Sequence, residues 1–250
     1  MPKAIFRFFA ELNDFLPASQ RQLPIEVNFS GHESVKHLLE SLGVPHTEVD
    51  VILVNARSVN FSARLMDSDE VQVYPSFQGW QLTPLIHLRP EASHQPRFVL
   101  DGHLGKLAVY LRLLGFDTRY QNDFNDDELA EISSYEGRIL LTRDRGLLKR
   151  SQVSQGYCVR TKLPRQQVVE VLRRYGLQAQ AIPFSRCARC NGVLEVVTKE
   201  EVFERLEPKT KLYYDEFRIC RGCDQIYWKG SHFERLEKQL QAMLVQAGKD

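Results

Sequence analysis

The sequence predicts an α/β protein in three parts: a small mixed unit, then a mainly parallel sheet flanked by helices, then a metal-bound tail. Three observations predict it. Residues 1–79 order their apolar runs as two strands, a helix and two short strands. From Arg97 onward, short apolar strands alternate with helical stripes. After Ile182, the pattern C-x-x-C occurs twice. The expected divisions are 1–79, a linker at 80–96, 97–183, and 184–250.

In the first part, Ile5, Phe6, Phe8, Phe9 and Leu12 suggest a strand, and Ile25, Val27 and Phe29 alternate as its hairpin partner. Val35, Leu38, Leu39 and Leu42 fall at helical spacing, with Ser34 before them and Gly43 after. Val51–Val54 forms a third strand, Asn55-Ala56-Arg57 a turn, and Val71-Gln72-Val73-Tyr74 the last strand. Strand pair, helix, short strands is the order of the β-grasp fold. The segment resembles ubiquitin-like sulfur carriers of the ThiS/MoaD type, down to the closing run Asp69–Pro75. Those carriers act through a free C-terminal Gly-Gly. Here Ser76-Phe77-Gln78-Gly79-Trp80 lacks the diglycine and the chain continues, so the head is expected to dock a protein partner. Pro84, Pro90 and Pro96, without periodicity around them, mark the linker.

In the middle part, Phe98-Val99-Leu100 is a short strand ending at Asp101. Leu104, Leu107, Ala108, Leu111 and Leu114 give a helical stripe stopped by Gly115. Asp117–Tyr120 reads as a strand, Asp126–Glu136 as a helix, and Arg138–Thr142 as another strand. A strand at Gly156–Val159 precedes a helix from about Pro164. The tail ends in a helix whose stripe is Phe233, Leu236, Leu240 and Leu244.

Cys187-Ala188-Arg189-Cys190 and Cys220-Arg221-Gly222-Cys223 each present two thiolates from one tight turn. Two such turns facing each other complete the tetrahedron that Zn²⁺ prefers, and four thiolates leave no open position, so this ion is expected to be structural. Cys158 stands alone in an apolar strand and reads as a core residue.

Asp101 and Asp144 each follow a strand, and in a parallel sheet such ends share the edge where ligands bind. Asp126 and Asp127 open the helix between them, on the same edge if the crossover is right-handed. Converging carboxylates form a hard oxygen site fit for Mg²⁺ or Mn²⁺, ions that bind a scissile phosphate and activate water. Asp126 and Asp144 also fit plain helix-capping roles and Asp127 that of an early-turn helix acid, whereas Asp101, directly after an apolar strand with Gly102 behind it, does not reduce to one so readily. Lys106 and Arg143 lie beside the two strand-end acids and are candidate phosphate contacts, with Arg145 next to them. Gly102-x-x-Gly105-Lys106 is not a Walker loop, lacking both the spacing and the Ser/Thr.

These residues carry a second resemblance. Phe98–Ala108, Leu111–Thr118 and Arg138–Arg145 resemble, in order, the motifs of the PIN-like ribonuclease domain of the Mut-seven C-terminal type, and a zinc ribbon downstream fits it. The resemblance implies a PIN-type fold, divalent-metal-dependent RNA hydrolysis, and catalytic roles for Asp101, Asp126 and Asp144. Asp126 or Asp127 supplies the middle acid, and Asp126 is adopted here.

The formal net charge of +1 hides an uneven distribution. Residues 143–174 hold nine Lys/Arg against Asp144 and Glu170, which points to a local polyanion surface for RNA. No apolar run approaches the roughly 18 residues of a membrane span. The N-terminus has no signal-peptide core, and paired C-x-x-C motifs suit a reduced compartment, so a cytoplasmic protein is expected. The rival expectation is an RNA- or ribosome-binding adaptor whose acids do not catalyse.

Overall fold

The computed structural model describes residues 1–76, 85–89, 95–230 and 232–249. The expected linker at 80–96 falls largely outside the described residues, as do Gly79 and Trp80. In chain order the head contains β1 (Lys3–Phe8), β2 (Ile25–Asn28), α1 (Val35–Ser41), β3 (Val49–Val54), β4 (Arg57–Val59) and β5 (Asp69–Pro75). Next come β6 (Phe98–Leu100), α2 (Gly105–Leu113), β7 (Thr118–Arg119), α3 (Asp126–Glu136), β8 (Ile139–Thr142), α4 (Arg145–Leu148), β9 (Gly156–Cys158) and α5 (Pro164–Tyr175). The tail holds β10 (Leu194–Val197), α6 (Lys199–Val202), α7 (Pro208–Tyr213), β11 (Phe217–Cys220), β12 (Ile226–Trp228) and α8 (Phe233–Ala247). The chain divides into two compact units, Met1–Glu91 with Asp126–Cys158, and Ala92–Asn125 with Val159–Asp250.

In the first unit, the head forms a five-stranded sheet of order β2-β1-β5-β3-β4. β1 pairs with β5 in parallel and with β2 antiparallel, the mark of a β-grasp. Alternation along β1 turns Ala4, Phe6 and Phe8 inward. β1 and β2 are not joined by a tight hairpin; two 3₁₀ turns, Ala10–Phe15 and Ala18–Gln20, intervene. Ser34 caps α1 by accepting from the His37 N–H. Asn55 and Ala56 both take positive φ (48° and 63°), the two-residue turn whose twist matches a hairpin, here β3 to β4.

The same unit holds β8 and β9, a parallel pair with Leu140 opposite Gly156. Gly156 makes room for this pairing: a Cβ would stand 2.5 Å from Leu148 Cδ2 and 3.3 Å from the Leu140 carbonyl, so Leu148 would have to shift. The head is bonded directly to this segment. Glu48, fully buried, accepts from the Cys158 N–H at 2.6 Å. His46 bridges Glu40 (2.7 Å) and the Val153 carbonyl (2.9 Å), and Lys149 donates to the Glu40 carbonyl at 2.6 Å. Residues 85–89 also lie against the head: Leu88 N–H donates to the Asp50 carbonyl, and His87 pairs with the Asp50 carboxylate.

In the second unit, β6 and β7 pair in parallel, Phe98 opposite Thr118. Leu107, Ala108 and Leu111 bury one face of α2. The strand expected over Asp117–Tyr120 is only two residues long. Gly115 ends the helix region with φ +95°, and a Cβ would meet the Ile182 carbonyl at 2.5 Å, which fixes glycine there. α5 begins with Pro164 and ends on Gly176 in the left-handed conformation. α8 buries Leu240, Met243 and Ala247, and Arg173 donates to the Gln246 carbonyl in its last turn and to the Lys249 carbonyl just beyond it, at 2.7 and 2.9 Å. The tail sheet β10-β11-β12 is antiparallel over a small core of Val197, Val202, Leu206, Phe217, Ile219 and Ile226. Among the described residues no helix is long and apolar enough to cross a membrane.

Replacing Glu48 with Met should leave the buried Cys158 N–H without its acceptor and lower unfolding stability by about 1–3 kcal/mol. Chemical denaturation of the full chain measures it. A midpoint equal to wild type would show that the head does not depend on this bond.

Candidate active site and cysteine centre

The two cysteine turns are built alike. Cys187 N–H donates to the Gly192 carbonyl and Asn191 N–H to the Cys187 carbonyl; Cys220 N–H donates to Gln225 and Asp224 N–H to Cys220. The fifth residue of each turn, Asn191 or Asp224, has positive φ (74° and 58°), a conformation that short polar side chains tolerate. The facing turns bring Cys187 Sγ to 3.6 Å from Cys223 Sγ, and Cys190 Sγ to 3.3 Å from Cys220 Sγ. All four sulfurs lie within 4.8 Å of one another, and the cysteines are unpaired by disulfides. A tetrahedral ion with bonds of about 2.3 Å sets its sulfurs roughly 3.8 Å apart, so the residues fit such an ion.

The electrostatics agree. Burial pushes the Cys190, Cys220 and Cys223 thiols above their ordinary range. At Cys187 burial also pushes upward, but the Tyr227 hydroxyl at 3.1 Å and the Cys190 and Arg189 N–H groups outweigh it and bring the thiol to about 6. A cation among the sulfurs inverts this balance and favours four thiolates.

Arg112, on α2, underpins the first cysteine turn. Its Nε donates to the Thr118 carbonyl (2.9 Å), Nη1 to the Arg189 and Ala188 carbonyls (2.9 and 3.3 Å), and Nη2 to the Tyr120 carbonyl (3.3 Å). Burial pulls the guanidinium pKa down, against the attraction of Cys190 and Cys187. No local pattern marks this role, because an arginine on a helix between leucines reads as an exposed position.

The predicted acids occupy both units. Asp101, in the second, is buried and caps the 3₁₀ turn Gly102–Leu104 by accepting from the His103 N–H at 2.8 Å. Asp144, in the first, follows β8 and caps α4 by accepting from the Gly146 N–H at 2.6 Å and the Leu147 N–H at 3.4 Å. Asp126 and Asp127 stand in the first turn of α3. Arg150 gathers these first-unit acids: it bonds Asp127, lies 3.9 Å from Asp126, and its pKa is raised by Asp127 first and by Asp126 and Asp144 more weakly. Arg150 belongs to the basic run 143–174 read as a polyanion surface, and the acid it binds lies 23 residues away in sequence. Among the described residues, the four cysteines are the group whose ligand atoms converge within 4.8 Å.

Of the expected phosphate contacts, Lys106 and Arg143 are exposed. Arg145 is engaged by the head: Nη1 and Nη2 donate to the Phe15 and Asp14 carbonyls (3.0 and 3.1 Å), with the guanidinium 5.0 Å over the Phe15 ring.

Residues 96–240 match the family model described as the Mut7-C RNAse domain, and residues 1–81 match the one described as Mut7-C ubiquitin. A curated human relative, "Exonuclease mut-7 homolog", is 38% identical over 101 residues. The match takes in 38% of this chain and 12% of that protein, so the chain spans a small fraction of its relative's length. Among solved structures, the small archaeal modifier protein 1 of H. volcanii is 17% identical with a TM-score of 0.26, over 31% of this chain and all of that one. A putative molybdopterin converting factor subunit 1 from Pyrococcus furiosus is 24% identical with a TM-score of 0.25, over the same shares.

The cysteine centre yields a paired prediction. A Cβ on Gly192 would stand 2.8 Å from Cys220 Sγ, whereas one on Gly222 would stand 3.9 Å from the nearest sulfurs. Gly192→Ala should weaken metal retention against a chelator by about tenfold or more, with Gly222→Ala near wild type. Equal retention in the two variants would contradict the packing described for the sulfurs.

Proposed function

The chain belongs to the Mut7-C RNase-domain family, and we propose that it is a metal-dependent ribonuclease with a ubiquitin-like head, a PIN-like catalytic domain and a structural zinc ribbon. The observation that carries this is the family match over residues 96–240, which takes in the strand-end acids Asp101 and Asp144 and all four cysteines. The proposed limits are 1–79 for the head, 97–183 for the nuclease and 184–250 for the ribbon.

Cys187, Cys190, Cys220 and Cys223 would hold Zn²⁺, which supplies folding free energy and no chemistry. Asp101, Asp126 and Asp144 would hold Mg²⁺ or Mn²⁺; these ions supply charge at the scissile phosphate and a nucleophilic water. The chain's own residues arrange that site. Each capping bond fixes one carboxylate oxygen, Oδ1 in both strand-end acids, and so orients the group. Lys106 and Arg143 are proposed to bind the phosphates flanking the cut. Arg145 is reassigned to head docking, because its donors already serve Asp14 and Phe15. Lys162 and Arg165, both exposed, are proposed to continue the path along the RNA backbone. The head is proposed to recruit a protein partner. The two C-x-x-C pairs, read as metal ligands, support a reducing compartment such as the cytoplasm.

One observation favours the adaptor reading: both strand-end acids serve as N-caps, the bland role. Asp101→Asn and Asp144→Asn separate the two, since Asn also caps well and leaves the fold intact. RNA cleavage should fall about 100-fold or more, with thermal midpoints near wild type. Cleavage at the wild-type rate in both variants would discard catalysis here and leave the adaptor.

A further inference from the structure

We infer that Arg112 and Tyr120 form a rigid strut from the cysteine centre to the Asp101 turn, and that both are positioning residues for Asp101. This rests on the proposal that Asp101 is a catalytic ligand.

The strut begins at the first cysteine turn. Arg112 is 4% exposed, and its planar fork holds the Ala188 and Arg189 carbonyls, inside that turn, together with those of Thr118 and Tyr120. A guanidinium is flat and inflexible, so carbonyls bound to it are fixed relative to one another; a lysine offers no such fork. A second line runs beside it. Asn191, adjacent to Cys190, accepts from the Thr118 N–H and donates to the Asp117 carboxylate, both at 2.9 Å.

Tyr120 carries the strut onward. Its carbonyl faces Arg112, and its hydroxyl donates to the Gly102 carbonyl at 3.0 Å, with Asn122 Oδ1 at 3.2 Å. Gly102 is the residue after Asp101 and the first of the 3₁₀ turn that Asp101 caps. The close fit demands two glycines. A Cβ on Gly105 would stand 2.6 Å from the Tyr120 hydroxyl, and one on Gly102 would stand 2.9 Å from the Asn122 carbonyl. The Asp101 turn is a single short turn, closed by the capping bond and by the Leu104 N–H to Asp101 carbonyl bond of 3.0 Å. A carboxylate on so short a turn is held closer to one aim when the turn is braced from behind. On this view the ribbon sets the geometry of a nuclease acid, beyond any part it has in holding RNA.

The test uses the full chain as wild type, Tyr120→Phe, Arg112→Lys and Asp101→Asn. It measures metal in the cysteine centre, hydrogen exchange of the His103 and Leu104 amides without added divalent ion, and kcat and KM on a short RNA with Mn²⁺. Tyr120→Phe should keep the cysteine-bound metal, exchange those amides about tenfold faster, and lose about 10–100-fold in kcat with KM within about twofold. Arg112→Lys should show the same loss of protection and of kcat. The inference is overturned if Tyr120→Phe matches wild type in exchange, or matches it in kcat while Asp101→Asn is inactive. If Asp101→Asn cleaves like wild type, the nuclease reading fails instead, and the exchange data alone decide whether the strut exists.

Discussion

Four sulfurs within 4.8 Å of one another are an unfavourable arrangement by themselves. Ionised, they repel; protonated, the buried Cys187 and Cys220 are left as weak S–H donors. A central cation removes both costs, and the three-stranded ribbon sheet has little else to hold it together. Among the described residues its hydrophobic cluster is six buried side chains, small for an independent fold. The matched cysteine turns therefore shape the tail, and the carbonyls they expose at Ala188 and Arg189 become the anchor points for Arg112. From there one continuous set of hydrogen bonds reaches Tyr120 and Gly102.

Several cations of this chain work on its own backbone. Arg112, Arg145, Lys149 and Arg173 all donate to main-chain carbonyls of loops or helix ends. Loop carbonyls have no ladder partner, and a buried one left unpaired is costly, so a long side chain with several donors is an efficient solution. The basic run 143–174 thus overstates the surface open to a polyanion. Arg145 and Lys149 bind the head, Arg150 binds the acids of α3, and Arg173 caps α8. Charge counting registers sign and position but not the partner each side chain has found.

What was legible in the sequence follows the range of the interactions involved. The β-grasp order, the Asp126–Glu136 helix and the convergence of the four cysteines depend on local periodicity or fixed spacing, and the structure shows each of them. β4 was missed because three residues after a turn carry no alternation to recognise. The tail strands were missed because Leu194–Val197 shows no inward face: only Val197 is fully buried. Arg112 and Glu48 were invisible for another reason. A buried charge looks like a surface charge in sequence, and its partners lie 76 and 110 residues away. The same distance hid the bonding of the head to the β8–β9 segment, which makes the head part of the unit that carries Asp126 and Asp144.

The proposal of catalysis at the acids, separate from the structural ion at the cysteines, meets its most direct test in metal dependence. Purified full-length chain with its cysteine centre loaded would be incubated with an end-labelled short RNA, first without divalent ions and then with Mg²⁺ or Mn²⁺ added. Cleavage should be absent at first and appear on addition, while the metal content of the cysteine centre stays constant. Cleavage that proceeds equally well in a chelator, with the cysteine-bound metal still in place, would contradict a carboxylate-held catalytic ion.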